Sequence, residues 1–146
     1  MQSFFREIFE YHHHFNQQFI SQIEDKLAEL PDRVTYLLSH NINAHLVWNT
    51  RILGGSLPAM QEEYPLVTVR ELDTKNYQNT LDIIDSRELS ESISYNNSKN
   101  ESFENSLQDI LFHVNNHHTH HRGQLISDIR QSGFAPIPSD YIFFKR

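Results

Sequence analysis

Closely spaced histidines stand in the last third of the chain. Ten histidines occur among 146 residues, and five of them lie between His113 and His121. His113, His117 and His121 are four residues apart, so on a helix they follow one another along one face, a turn apart. Two imidazoles at that spacing can reach the same transition-metal ion. The spacing is therefore typical either of a metal site on this segment, with a further ligand from a facing helix, or of a partly solvated histidine face.

Two other histidines, His40 and His45, are candidates for that further ligand. The helical period places His45 at the centre of the apolar face of its segment and His40 at the margin of that face,. Periodicity alone therefore favours His45, and the ordinary alternative for either residue is a hydrogen-bonded core histidine. Both residues stay open as the third ligand at this point.

A third group, His12 to His14, consists of consecutive residues. On a helix consecutive side chains point about 100° apart, so these three imidazoles cannot bind one ion together. We expect them to lie on the solvated surface.

Four helical segments position these histidines. Apolar residues recur at steps of three and four, which is typical of amphipathic helices. The segments are residues 2–30, 33–53, about 72–86 and 106–132. Gly54 and Gly133 are expected to end the second and fourth helices, and Ser106 with Asp109 forms a capping-box-like start for the fourth. The tail after Gly133 is expected to lie over the bundle.

Ahead of the fourth helix the apolar period changes to two. Residues 93–96 and 101–104 flank a polar turn at 97–100, a pattern that predicts a short β-hairpin. Four helices with mostly short links predict an all-α fold, an antiparallel four-helix bundle with a small hairpin before the last long helix. The length is that of a single domain over residues 1–146,.

Composition excludes several function classes. The chain has no cysteine, which excludes disulfides, thiolate metal sites and a catalytic thiol of its own,. Twelve basic and nineteen acidic residues give a net charge of −7 without a basic stripe, so we expect no nucleic-acid partner. No apolar run approaches the length of a membrane span,. We expect a soluble cytoplasmic protein with no membrane association.

The residues from His117 to Gln124 read H-H-T-H-H-R-G-Q. This segment resembles the H-x-x-x-H-R-G-Q signature of the DinB/YfiT-like family of metal-dependent four-helix bundles. The segments Leu38–Trp48, Phe103–His117 and Gly133–Tyr141 are similar to further parts of that family, so the resemblance spans nearly the whole chain.

The resemblance implies a three-histidine metal site at His40, His117 and His121, in place of the preference for His45. It also implies supporting roles for Arg122 and Gln124, as partners of the ligands or as anchors between helices. Zinc or nickel is the expected divalent ion, because all the ligands are imidazole nitrogens. No catalytic side chain is assigned.

The same resemblance implies a metal-dependent enzyme of the thiol-dependent S-transferase or hydrolase type. A low-molecular-weight thiol and an electrophilic small molecule would then be its substrates. The alternative is a non-catalytic metal-binding stress-response protein.

A homodimer is expected on two grounds. Phe5 and Phe9 lie off the main apolar stripe of the first helix and suggest a second apolar contact,, and the family resemblance points the same way. Gly123, inside the fourth helix, is expected to allow close approach of another helix, because glycine otherwise costs a helix about 1 kcal/mol.

Overall fold

A computed structural model describes residues 1–59 and 63–146. It confirms the all-α bundle with its small hairpin. The elements, in chain order, are α1 (Gln2–Lys26), α2 (Asp32–Leu53), α3 (Leu66–Ser86), β1 (Ser92–Asn96), β2 (Ser102–Ser106), α4 (Leu107–Gln131) and the short α5 (Tyr141–Phe144).

Local signals account for the C-terminus of α2 and the N-terminus of α4. Gly54 ends α2 in the left-handed conformation, with φ of +70°, which glycine adopts without steric cost. The Ser106 hydroxyl oxygen accepts a hydrogen bond from the Asp109 backbone N–H at 3.1 Å, so the predicted cap of α4 is confirmed.

The predicted start of the third helix near residue 72 is wrong. α3 begins six residues earlier, at Leu66, directly after Pro65. The first turn is rich in β-branched residues, which favour helices weakly, and the sequence alone assigned it to the connection. Val69 is fully buried in the core, and this packing outweighs the weak propensity.

The two most extensive helix contacts join helices that are not consecutive in the chain. α1 lies against α3 and α2 lies against α4, and side-chain contacts show that each of these pairs runs antiparallel. By contrast, α2 and α3 run in the same direction, since Asn76 donates to the Ile42 carbonyl and His45 contacts Thr80.

The connection between α2 and α3 makes this parallel pairing possible. Asn43 donates to the Ala59 carbonyl at 2.6 Å, and the Ser39 hydroxyl accepts from the Tyr64 backbone N–H at 3.0 Å. These two contacts lie about three and four turns before the end of α2,, so the chain returns along α2 before α3 begins.

Two apolar clusters form the core, one toward each end of the bundle. Phe19 and Leu38 belong to one cluster, and Phe9 and Ile52 to the other. Between them each long helix contributes buried polar residues, which we call the polar layer: His12, Asn16, His45, Asn49, Asp73, Asn76, Thr80, His118 and Arg122.

Two predictions are wrong, one about a second apolar contact on α1 and one about a close helix approach at Gly123. Phe5 and Phe9 are 3% and 1% exposed and belong to the core of the single chain, so they provide no second apolar contact. The homodimer stays a prediction on the family resemblance. A Cβ added at Gly123 would meet no atom within 4 Å, so this glycine does not mark a close approach of helices.

The hairpin and the tail pack on the helices as predicted. β1 and β2 pair antiparallel with Tyr95 opposite Phe103, and Ile93 of β1 is buried in the core. The tail crosses α1, where the Tyr11 hydroxyl donates to the Ser139 carbonyl at 2.7 Å. In the described part of the chain, none of the helices has the length and hydropathy needed to cross a membrane.

The two helix glycines give opposite predictions. Gly123→Ala should raise the free energy of unfolding by about 1 kcal/mol, because alanine favours the helix and meets open space there,. Gly54→Ala should lower it by about 1 kcal/mol, because alanine is strained at positive φ,. Urea denaturation measures both, and equal signs for the two variants would contradict this account.

Candidate metal centre

Three half-buried histidines meet in the groove between α2 and α4. His40 lies on α2, and His117 and His121 lie one turn apart on α4. One ring nitrogen from each residue lies within 4.8 Å of the other two. Among residues 1–59 and 63–146, no other three histidine, aspartate or glutamate side chains lie close enough together to bind one metal ion.

Neighbouring amides orient the two α4 histidines. His121 Nδ1 lies 2.8 Å from Gln124 Oε1, and His117 Nδ1 lies 3.3 Å from Asn41 Oδ1. An amide oxygen only accepts hydrogen bonds, so in both rings Nδ1 carries the proton. The lone pair of each ring is then on Nε2, which is the arrangement found for histidines that bind metals.

The third histidine has an unpartnered nitrogen. His40 Nδ1 is buried and has no hydrogen-bond partner among the described residues, although burial of such a group is costly. A metal ion is a partner that the protein does not itself supply. The orphan nitrogen and the all-imidazole donor set both fit a divalent transition metal such as zinc or nickel.

The cluster favours neutral imidazoles. Burial, followed by the nearby His121 and His40, lowers the pKa of His117 to about 3. Burial and His121 also lower the pKa of His40. Metal ligation requires deprotonated imidazole nitrogens, so the surroundings of these two rings keep them ready to bind at neutral pH.

His45 lies outside this cluster. The ring is 5% exposed, as its central position on the apolar face of α2 predicts. Its Nε2 contacts the Thr80 hydroxyl at 2.8 Å, and its Nδ1 contacts His118 Nε2 at 3.1 Å. With both nitrogens engaged in the polar layer, His45 is a hydrogen-bonded core histidine.

Of the consecutive histidines His12 to His14, two are not on the solvated surface, so that prediction is wrong for them. His12 is 1% exposed, and Asn115 and Arg122 contact its two ring nitrogens at 2.6 and 2.8 Å. His13 contacts the buried carboxylate of Asp73 at 2.6 Å. Only His14 is exposed as expected. The polar partners stand on other helices, so periodicity within α1 could not reveal them.

Arg122, which follows His121, is an anchor between helices. Its Nη2 contacts His12 Nδ1 at 2.8 Å, and its guanidinium lies 4.8 Å from the centre of the Tyr11 ring. Gln124, by contrast, contacts His121 of the three-histidine cluster. Both supporting roles were open in the sequence, and the structure assigns one to each residue.

Asn41 is a site residue that the sequence analysis missed. It is 4% exposed, and it connects α2 to both His117 and the His118 carbonyl. The available signal was a polar residue beside His40 at an inward position of α2. Cavity volume gives no such signal, since a cavity of about 960 Å³, lined by residues of α1, α3 and the tail, includes none of the three clustered histidines in its lining.

Sequence comparison agrees with this geometry. Residues 9–146 match the sequence profile of the DinB family. The chain belongs to the DinB family. It is similar to Protein DinB of Bacillus subtilis (strain 168), with 23% identity over an alignment of 162 residues, gaps included. The alignment covers 97% of this chain and 93% of the relative. The DinB resemblance inferred from the histidine motif is thus confirmed.

Loss of the amide at residue 124 should weaken metal binding. Gln124→Leu removes the acceptor that orients His121, and such a loss costs about 10- to 100-fold in metal affinity,. Gln124→Glu keeps an acceptor and should bind at least as tightly as the parent. Competition with a chelating dye measures the affinities, with Gln131→Leu at the far end of α4 as the control. Equal affinity of Gln124→Leu and the control would contradict the orienting role.

Acid should destabilise the fold through His45, whose pKa burial lowers to about 4. The unfolded chain gains a proton near pH 6.5, and the folded chain does not until pH 4. Stability therefore falls as the pH drops through this window, by about 2 kcal/mol between pH 7 and 5 from this residue. Urea denaturation in the presence of chelator measures the loss of unfolding free energy between pH 7 and 5. This loss should be smaller in His45→Gln and unchanged in His14→Gln. An unchanged pH dependence in His45→Gln would be the contrary result.

Proposed function

We propose that this DinB-family protein is a metal-dependent enzyme in which His40, His117 and His121 hold zinc or nickel. The observation that carries the proposal is a group of three donors without a fourth from the described residues. Structural zinc sites are usually closed by four protein ligands, whereas catalytic sites keep a position for water or substrate. A three-histidine group is the donor set of a catalytic site.

We further propose a thiol-dependent S-transferase in preference to a hydrolase. The chain has no cysteine, so the thiol is a low-molecular-weight cosubstrate, and an electrophilic small molecule is its acceptor. When bound, a divalent ion lowers the pKa of a thiol or water at an open position and acts as a Lewis acid.

The residues of the chain supply binding and orientation. His40 and His117 present neutral nitrogens, because burial and the neighbouring histidines lower the pKa of each. Gln124 and Asn41 hold the rings of His121 and His117 with their Nδ1 protons turned away from the cluster. The site therefore needs little rearrangement when the ion binds.

Substitution of any one ligand should abolish stoichiometric metal binding. His40→Ala, His117→Ala and His121→Ala each leave two imidazoles, which hold a divalent ion weakly. His13→Ala is the matched control, since His13 contacts Asp73 on the other side of the bundle. Elemental analysis of untagged protein measures the metal content. A full equivalent of metal in His121→Ala would contradict the assignment.

Activity of the loaded protein separates the enzyme from a non-catalytic metal-binding stress-response protein. Thiol consumption is followed with L-cysteine and 1-chloro-2,4-dinitrobenzene, and hydrolysis with p-nitrophenyl acetate. We expect the thiol reaction to exceed the rate of the metal-free protein. Bound metal without acceleration of either reaction would favour the non-catalytic alternative.

A further inference from the structure

A small cavity lies at the hairpin end of the groove between α2 and α4, near the three-histidine cluster. Its volume is about 260 Å³. Its lining residues come from α2, both hairpin strands and α4, and most carry a ring or a polar group. They are Trp48, Tyr95, Asn105, Asp109, Ile110 and His113.

His113 connects this cavity to the three-histidine cluster. It stands one helical turn before His117, and the centres of the two rings are 6.1 Å apart. On its other side the His113 ring lies 5.0 Å from the centre of the Trp48 ring. A molecule in the cavity would therefore be separated from a ligand histidine by a single side chain.

The walls of the cavity are aromatic and held in place. The rings of Trp48 and Tyr95 meet edge to face with centres 5.0 Å apart. The Tyr95 hydroxyl donates to Asn105 Oδ1 at 2.8 Å, which fixes the ring across the hairpin. Rings in such fixed positions favour a flat aromatic ligand, because offset and edge-to-face contacts between rings are attractive.

The charges beside the cavity favour an uncharged ligand. The guanidinium of Arg51 lies 4.6 Å from the Trp48 ring centre and 5.3 Å from that of Tyr95, so a protein cation already occupies the cation–π positions on these rings. Asp109 adds one negative charge, and its carboxylate accepts from the Ser106 hydroxyl at 2.6 Å. The two opposite charges leave no net charge to attract an ion.

We propose that this cavity binds a flat, uncharged aromatic group of the electrophilic substrate. That the ligand is an electrophile rests on the proposed function, whereas the binding of a neutral aromatic group rests on the cavity alone. The hairpin, in this proposal, is the wall that selects the substrate.

Trp48 provides the test, because it is the one tryptophan of the chain. Titration of the zinc-loaded protein with 1,3-dinitrobenzene, a flat and uncharged quencher, should reduce the Trp48 fluorescence along a saturating curve. Nitrocyclohexane carries the same quenching group on a saturated ring, and it should quench only in proportion to its concentration.

Variants of the hairpin wall decide the site of binding. Tyr95→Leu removes a stacking ring and should weaken the binding of 1,3-dinitrobenzene at least about fivefold. Tyr95→Phe keeps the ring and loses only the hydrogen bond to Asn105, so it should bind more tightly than Tyr95→Leu. Asn105→Phe places a ring at the cavity wall from the second strand and should abolish saturation. Phe112→Leu is the matched control, because Phe112 is exposed on α4 outside the cavity lining.

The outcomes are separate from those of the metal site. His121→Ala should lose metal and still show saturable quenching. Absence of bound metal from the parent protein would overturn the proposed function and leave the cavity proposal standing. Quenching of the parent without saturation would overturn the cavity proposal. So would a saturation curve that is unchanged in both Tyr95→Leu and Asn105→Phe.

Discussion

The guanidinium of Arg122 is buried in the middle of the bundle, at 4% exposure. It contacts His12 and the Asn16 amide oxygen, and Asn16 in turn donates to the buried carboxylate of Asp73 at 2.7 Å. Removal of one partner from a buried charge network costs about 3–5 kcal/mol. α1, α3 and α4 can therefore pack in one register only, because any slip would leave one of these charges without its partners.

The three-histidine cluster depends on that register. His117 precedes the buried His118, and His121 precedes Arg122, so the polar layer fixes the rotation of α4. Asn41 does the same for α2, since it contacts the His118 carbonyl from the position beside His40. His40, His117 and His121 lie at the edge of the polar layer, and their spacing follows from their buried neighbours.

The sequence predicted some parts of this arrangement and not others. The i,i+4 pair His117 and His121 and the cap at Ser106 are local features, and the sequence analysis found them. His40 entered the predicted ligand set through the family motif. The relative rotation of α2 and α4 decides whether His40 faces the two α4 histidines, and the sequence of α2 alone does not give that rotation. The burial of His12 and the early start of α3 depend on partners distant in the chain, and no local period encodes them.

The order of the helices in space bears on how the chain reaches its fold. The tightly packed pairs join α1 to α3 and α2 to α4, so each pair closes a loop that contains a whole intervening helix. Contacts of such long sequence separation must offset the entropy of loop closure before they stabilise the chain. This bundle is therefore expected to fold more slowly than one of the same length in which each helix packs on the next.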